Sequence, residues 1–261
     1  MNNVIDLKNN ISLHDFKLSS MKELEELFEI DENVEINYSK VEELEYITIP
    51  NFFKNPEEVK NFLIQFPGEN RLQSIIETGK ILTNKAPGFQ QTFNALFFKP
   101  LSQKLHSILE KYKFCNYEWD PRHWDFYTNC LYSGMKSYRG NYIPHVDEFA
   151  AAGNIYLTDI DDTYTAFFKY RSNDKIFSNV NRLKLDDIER IKYAKLIKDY
   201  SMSEEISDWK IFRGDENFIE YHRIPSKYNT VSLYKGKFWH TVHFDASVPD
   251  RIRYSLVSVL K

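Results

Sequence analysis

The chain has 261 residues, of which 42% are hydrophobic and 16% aromatic, so it is long enough to bury one large core. Its formal net charge of −4 and its dispersed Lys and Arg residues argue against nucleic acid as a partner. Because its two cysteines, Cys115 and Cys130, form no Cys-x-x-Cys pair, we expect neither a zinc knuckle nor a disulfide framework.

The N-terminus and the hydropathy predict a cytoplasmic protein. Residues 1–6 lack the basic and apolar segments of a secretory signal. No stretch approaches the roughly 20 apolar residues that a helix needs to cross a bilayer. We therefore expect a soluble protein in a reducing compartment, with no membrane partner.

Helices are predicted in the first part of the chain. Residues 1–45 are polar and acidic, and apolar residues at helical spacing over 21–28 predict a surface helix in this extension. Residues 46–53 predict a short strand, which leads into a helix capped at Asn55. A second long helix is predicted after Pro100, with one apolar stripe. The stripe comprises Leu101, Leu105, Ile108 and Leu109.

From residue 119 onward the sequence changes to short runs rich in Tyr, Phe, Val, Ile and Thr, broken by Gly, Pro and Asp. Strands are predicted over residues 126–132, 154–158, 165–170, 230–234 and 253–260. Two helices followed along the chain by many short antiparallel strands predict an α+β fold. We expect the strands to form a double-stranded β-helix, a jelly-roll or cupin-like barrel, with the helices packed outside it.

Residues 172–208 interrupt this strand pattern. Residues 185–194 within them are charged and helix-forming. Long structured insertions between barrel strands are more often functional than idle, so we predict a helical lid that contributes to substrate selection. A surface decoration is the alternative. The domain prediction is a single domain over 46–261 that follows the extension.

A His-x-Asp motif predicts a metal site. Residues i and i+2 of an extended backbone point to the same face, so His145 and Asp147 can reach one ion. His240, near the C-terminus, offers a third ligand. Two His and one carboxylate on one face of a metal leave positions open, which is typical of non-haem Fe(II) oxygenases.

The last predicted strand supplies a candidate anion anchor. Arg253 and Ser255 share one face of this strand. A planar guanidinium suits bidentate pairing with a carboxylate, and a neighbouring hydroxyl adds a further hydrogen bond.

In their types and order, His145, Asp147, His240 and Arg253 resemble the Fe(II)/2-oxoglutarate-dependent dioxygenase superfamily, particularly its prolyl-hydroxylase-like branch. The family pattern is His-x-Asp, then a distal His, then an Arg or Lys in a terminal strand. The segment from Arg253 to Ser255 also resembles the family's Arg-x-Ser. The resemblance covers roughly residues 46–261; it is strongest across 125–170 and 228–260 and weak over the first half.

The distal ligand has two candidates. The distance from His240 to Arg253 is a little longer than usual in the family, and His243 would give the more usual spacing. The context Phe-x-His-x-Val favours His240. The two histidines would lie on opposite faces of a regular strand, so only one of them should point at the metal.

The resemblance implies Fe(II), 2-oxoglutarate and O2. The cosubstrate would chelate the iron through its 2-oxo acid end, while Arg253 pairs with the far carboxylate and Ser255 assists. Tyr156 matches a tyrosine that contacts this carboxylate in the prolyl-hydroxylase-like branch, although a core aromatic is an equal interpretation. Tyr132 and Tyr138 are weaker candidates for cosubstrate contacts.

The expected activity is hydroxylation of an amino acid, a peptide or a small metabolite, with release of succinate and CO2. Asp147 disfavours halogenation, because iron halogenases of the superfamily carry Gly or Ala at that position. One alternative is a hydroxylase of a protein-bound residue. Another class, a non-catalytic cupin-like binding module, predicts a missing ligand or anchor, and none is missing here.

Overall fold

The computed structural model describes residues 21–66, 69–70, 88–93, 95–134, 136–137, 144–147, 149–172, 174–179, 207–208 and 211–261. The α-helices in these ranges are α1 (Met21–Leu27), α2 (Pro56–Leu63) and α3 (Lys99–Lys111). No helix among them is long and apolar enough to cross a membrane.

The strands of the described residues are short. In chain order they are β1 (Asn37–Val41), β2 (Leu44–Ile49), β3 (Glu69–Asn70), β4 (Phe89–Phe93), β5 (Trp124–Tyr132), β6 (Lys136–Ser137), β7 (Ala151–Tyr156), β8 (Tyr164–Ser172), β9 (Lys175–Phe177), β10 (Ser207–Asp208), β11 (Phe218–Pro225), β12 (Thr230–Tyr234), β13 (His240–His243) and β14 (Ile252–Leu260).

These strands form a large and a small antiparallel sheet. The large sheet has the order β1-β2-β12-β7-β14-β5-β4-β3. The small sheet has the order β11-β8-β13, with β9 also paired to β8, and a separate pair joins β10 to β6. An isolated bridge between His145 and His240 places the His-x-Asp segment beside β13.

The two faces of the large sheet pack against different partners. Leu256 and Leu260 of β14 belong to the main core cluster, which also contains the buried residues of the helices. Val257 and Val259, which alternate with them, cluster instead with Phe167 of the small sheet. Because side chains alternate along a strand, the large sheet is covered by helices on one face and by the small sheet on the other.

The predicted mainly antiparallel architecture is confirmed, and so are the helices predicted over residues 21–28 and after Pro100. The apolar stripe of α3 is buried, as expected. Asn55 precedes α2 with a proline at the helix start, but its side chain makes no capping hydrogen bond.

One predicted strand is displaced along the chain. The prediction over residues 154–158 corresponds to β7, which runs over Ala151–Tyr156. The small side chains of Ala151, Ala152 and Gly153 carry no β-branched signal, and their strand conformation comes from pairing with β14 and β12.

Two organisational predictions have no structural test. β1 and β2 belong to the large sheet, so this sheet begins at Asn37, while the domain boundary at residue 46 stays a prediction. Of the proposed insertion at 172–208, residues 173 and 180–206 lie outside the described residues. The helical lid predicted there stays a prediction.

Candidate metal centre

Three side chains that the sequence singled out as metal ligands lie together. One donor atom from each of His145, Asp147 and His240 falls within 4.8 Å of the other two. Asp147 Oδ2 lies 3.3 Å from Nε2 of His240, and Oδ1 lies 3.8 Å from Nε2 of His145. Two imidazole nitrogens and one carboxylate oxygen form a donor set that suits Fe(II) and leaves coordination positions open.

Backbone pairing brings these distant parts of the chain together. The amide of His145 donates to the carbonyl of His240, and the amide of His240 donates to the carbonyl of His145, both at 2.9 Å. Residues paired in this way across antiparallel strands point to the same face. The amide of Asp147 donates to the carbonyl of Gly236 at 2.8 Å, which fixes the second end of the motif.

The ring of His240 is fixed in one tautomer and orientation. Its Nδ1 lies 2.8 Å from the carbonyl oxygen of Phe238, so Nδ1 carries the proton and donates it to that oxygen. The other ring nitrogen, Nε2, then faces Asp147 and is the atom available to a metal. Such a hydrogen bond to the far nitrogen is the usual way in which proteins prepare a histidine for metal binding.

His243 lies outside this cluster. It is three residues from His240 on β13, is 1% exposed, and packs with its ring centroid 6.0 Å from that of Tyr164. Burial, together with the positive charges of Arg213 and Arg223, lowers the pKa of His243 to about 4. The geometry therefore offers His240 to the metal and leaves His243 as a neutral packed residue.

The lowered pKa of His243 predicts a pH-dependent stability. The unfolded chain binds a proton near pH 6.5, whereas the folded chain does not until about pH 4, so stability is lost as the pH falls through this window. We expect His243→Gln, in metal-free protein, to flatten the slope of unfolding free energy against pH by up to about 1.4 kcal/mol per unit. Urea unfolding between pH 4 and 6.5 measures it, with exposed His123→Gln as control. An unchanged slope in His243→Gln contradicts the assignment.

The predicted anion anchor is buried on the face of the large sheet that meets the small sheet. Arg253 is 3% exposed and Ser255 is fully buried. The guanidinium carbon of Arg253 lies 5.1 Å from the ring centroid of Tyr156, a cation–π distance. Ser255 is the direct cross-strand partner of Tyr156 in the pairing of β14 with β7.

This anchor has hydrogen-bonding capacity that the described residues do not use. Nε of Arg253 and Oγ of Ser255 are buried and have no hydrogen-bond partner among them. A buried donor without a partner costs about 1–3 kcal/mol, and more when it is charged. A ligand carboxylate would supply acceptors for both groups, because a guanidinium and a hydroxyl can donate to it together.

The three tyrosines predicted to contact the cosubstrate have different positions. Tyr156 is 1% exposed and lies under Arg253, with its hydroxyl 3.1 Å from Oγ1 of Thr165 in the small sheet. Tyr132 pairs across β14 with Ile252, so alternation places it on the face opposite Arg253, and its ring contacts Phe89. Tyr138 lies outside the described residues.

Three further site residues were not identified by any sequence motif. Thr165 holds the Tyr156 hydroxyl, and Asn154 donates its amide to the hydroxyl of Tyr234 at 3.3 Å. Alternation along β7 could have placed Asn154 on the same face as Tyr156. The contact with Tyr234 depends on the pairing of β7 with β12, which no local pattern encodes.

Comparisons with known proteins give distant similarities to solved structures. No protein-family model matches the chain, and no curated protein matches it. A prolyl-4-hydroxylase from Pseudomonas putida is 9% identical with a TM-score of 0.35, covering 67% of this chain and 72% of its own. HygX from Streptomyces hygroscopicus, solved with nickel and 2-oxoglutarate bound, is 12% identical with a TM-score of 0.38, covering 82% and 81%.

A third similar structure is SnoK, a non-haem α-ketoglutarate-dependent carbocyclase from nogalamycin biosynthesis. It is 10% identical with a TM-score of 0.33, covering 82% of this chain and 78% of its own.

Proposed function

We propose that the protein is an Fe(II)- and 2-oxoglutarate-dependent oxygenase that hydroxylates an amino acid, a peptide or a small metabolite, with release of succinate and CO2. The observation that carries this proposal is one arrangement of side chains. A His-Asp-His cluster stands in the same interior as a buried arginine and serine whose donors lack partners among the described residues.

The contacts between the sheets support a single site. Tyr156, which lies under Arg253, reaches across to Thr165 of β8. Phe167, which is two residues after Thr165 on β8, is the cross-strand partner of His240. Since residues i and i+2 of a strand share a face, the anchor and the metal ligand His240 face one interior.

We also propose that residues 46–261 form one oxygenase domain built on a double-stranded β-helix. In the large sheet β12, β7, β14 and β5 are adjacent, and in the small sheet β11, β8 and β13 are adjacent with the His-x-Asp segment at the edge. Two facing antiparallel sheets of this kind are typical of a jelly-roll barrel. His240 lies on β13 of the small sheet, and His145 is bridged to it.

The proposed roles of the residues follow from their chemistry. His145, Asp147 and His240 would hold the iron. Arg253 and Ser255 would bind the far carboxylate of 2-oxoglutarate, which orients the cosubstrate along the axis from the anchor to the metal. When bound, the iron would supply oxygen activation coupled to cosubstrate decarboxylation, which the protein orients and shields from water.

Aromatic packing in the interior supports the exclusion of water from this site. The ring of His240 is contacted by Phe167 and Tyr234, at centroid distances of 6.1 and 5.0 Å. Both residues are buried.

The carboxylate of Asp147 would occupy the third protein position on the metal, so we propose hydroxylation rather than halogenation.

Substrate-dependent succinate formation tests the proposal. Iron-loaded protein is incubated with 2-oxoglutarate and O2 against a panel of free amino acids and short peptides, and succinate and oxidised product are quantified. We expect at least one compound to raise succinate formation and to gain one oxygen atom, and we expect Asp147→Ala to abolish both. If iron-loaded protein neither binds nor consumes 2-oxoglutarate, the proposed function is wrong.

A further inference from the structure

Tyr234, the last residue of β12, is buried against the proposed metal ligand His240. It is 3% exposed, and its ring meets that of His240 edge-on, with centroids 5.0 Å apart at an interplanar angle of 65°. A second edge-on contact, 5.1 Å at 88°, joins it to Phe167. Edge-on contacts of this kind are the favoured geometry for neighbouring rings, and they place the phenol beside the imidazole of His240.

The hydroxyl of Tyr234 is oriented by a second buried side chain. Nδ2 of Asn154 donates to it at 3.3 Å, and Asn154 is 9% exposed.

We propose that Tyr234, oriented by Asn154, is a positioning residue that holds the imidazole of His240 in the orientation that binds the metal. This inference rests on the proposed function. The ring contact with Tyr234 restrains the imidazole of His240, whose Nδ1 already donates a hydrogen bond to the carbonyl oxygen of Phe238. The hydrogen bond from Asn154 holds the phenol hydroxyl, and with it the ring that contacts His240.

A supporting pair such as Tyr234 and Asn154 matters because ordering the metal ligands costs conformational entropy. Two imidazoles and a carboxylate crowded within 4.8 Å lose rotamer freedom when they are held in place. Groups that orient the ligands reduce the entropy lost on metal binding, and their removal typically lowers metal affinity by about 10- to 100-fold. The buried Asn154–Tyr234 hydrogen bond joins β7 to β12 and so ties this support to the large sheet.

Cobalt titration of the metal-free protein tests the inference. Co(II) binding and the intensity of its visible absorption bands are measured for the wild type, Tyr234→Phe and Asn154→Ala. Tyr234→Phe keeps the ring and loses the hydroxyl, whereas Asn154→Ala keeps Tyr234 and removes its donor. We expect each variant to bind Co(II) about tenfold or more weakly, with changed band intensities. The double variant should lose less than the product of the two effects, because both act through one hydrogen bond.

A matched control separates positioning from a general effect on folding. Tyr254 is also a buried tyrosine, on the helix-covered face of β14, and Tyr254→Phe should keep wild-type cobalt affinity and spectrum. Wild-type affinity and spectrum in both Tyr234→Phe and Asn154→Ala would overturn the inference while leaving the proposed function intact. A wild type that binds no Co(II) would overturn the proposed function as well.

Discussion

Replacing His240 with alanine is expected to abolish metal binding, whereas replacing His243 should leave it nearly intact. His240 presents Nε2 to Asp147 at 3.3 Å and has its other nitrogen bound to a carbonyl oxygen. His243 stands on the other face of β13 beside Tyr164. Loss of one of three protein ligands should weaken binding by more than the about 10- to 100-fold typical of supporting residues. Co(II) titration of the metal-free variants measures the effect.

The two histidines control for each other, because both are buried on the same four-residue strand. Circular dichroism spectra establish that each variant is folded before the metal is added. His145→Ala and Asp147→Ala should behave like His240→Ala. The opposite outcome, in which His243→Ala loses the metal and His240→Ala retains it, would transfer the distal ligand to His243 and require a different arrangement of β13.

The local half of the metal site could be predicted from the sequence because it depends on one backbone rule. A separation of two residues in an extended segment puts His145 and Asp147 on one face wherever the segment lies. The distal ligand could not be fixed in the same way. His240 and His243 differ in which face of β13 they occupy, and that is decided by the backbone hydrogen bonds between His145 and His240 across the fold.

The same distinction applies to the anchor and its surroundings. Arg253 and Ser255 are two residues apart in a long apolar strand, so the sequence alone predicts that they share one face. Whether a tyrosine reaches them depends on strand register. Tyr156 is opposite Ser255, whereas Tyr132 is opposite Ile252 on the other face. Register between strands about 100 residues apart is set by non-local pairing, which single-sequence patterns do not encode.

Replacing Arg253 with alanine is expected to weaken 2-oxoglutarate binding well over tenfold while metal binding stays nearly intact. The substitution leaves the ligand carboxylate unpaired in a buried pocket, which typically costs about 2–5 kcal/mol. Calorimetric titration of 2-oxoglutarate into Zn(II)-loaded protein measures affinity without turnover. Arg251→Ala is a matched control, because this arginine precedes β14 and is only partly buried. Unchanged cosubstrate affinity in Arg253→Ala would remove Arg253 from the site.

A second substitution, Arg253→Met, separates ligand binding from folding. In the absence of ligand, Nε of Arg253 is buried and has no hydrogen-bond partner among the described residues, so the guanidinium is a cost to the ligand-free fold. Methionine fills similar volume without a charge. We therefore expect Arg253→Met to lose cosubstrate affinity as Arg253→Ala does, while its ligand-free unfolding free energy equals or exceeds that of the wild type. Urea unfolding measures that free energy. If Arg253 instead stabilises the fold, Arg253→Met should lower the unfolding free energy and leave the affinity for 2-oxoglutarate unchanged. That result would contradict a role of Arg253 in binding the cosubstrate carboxylate.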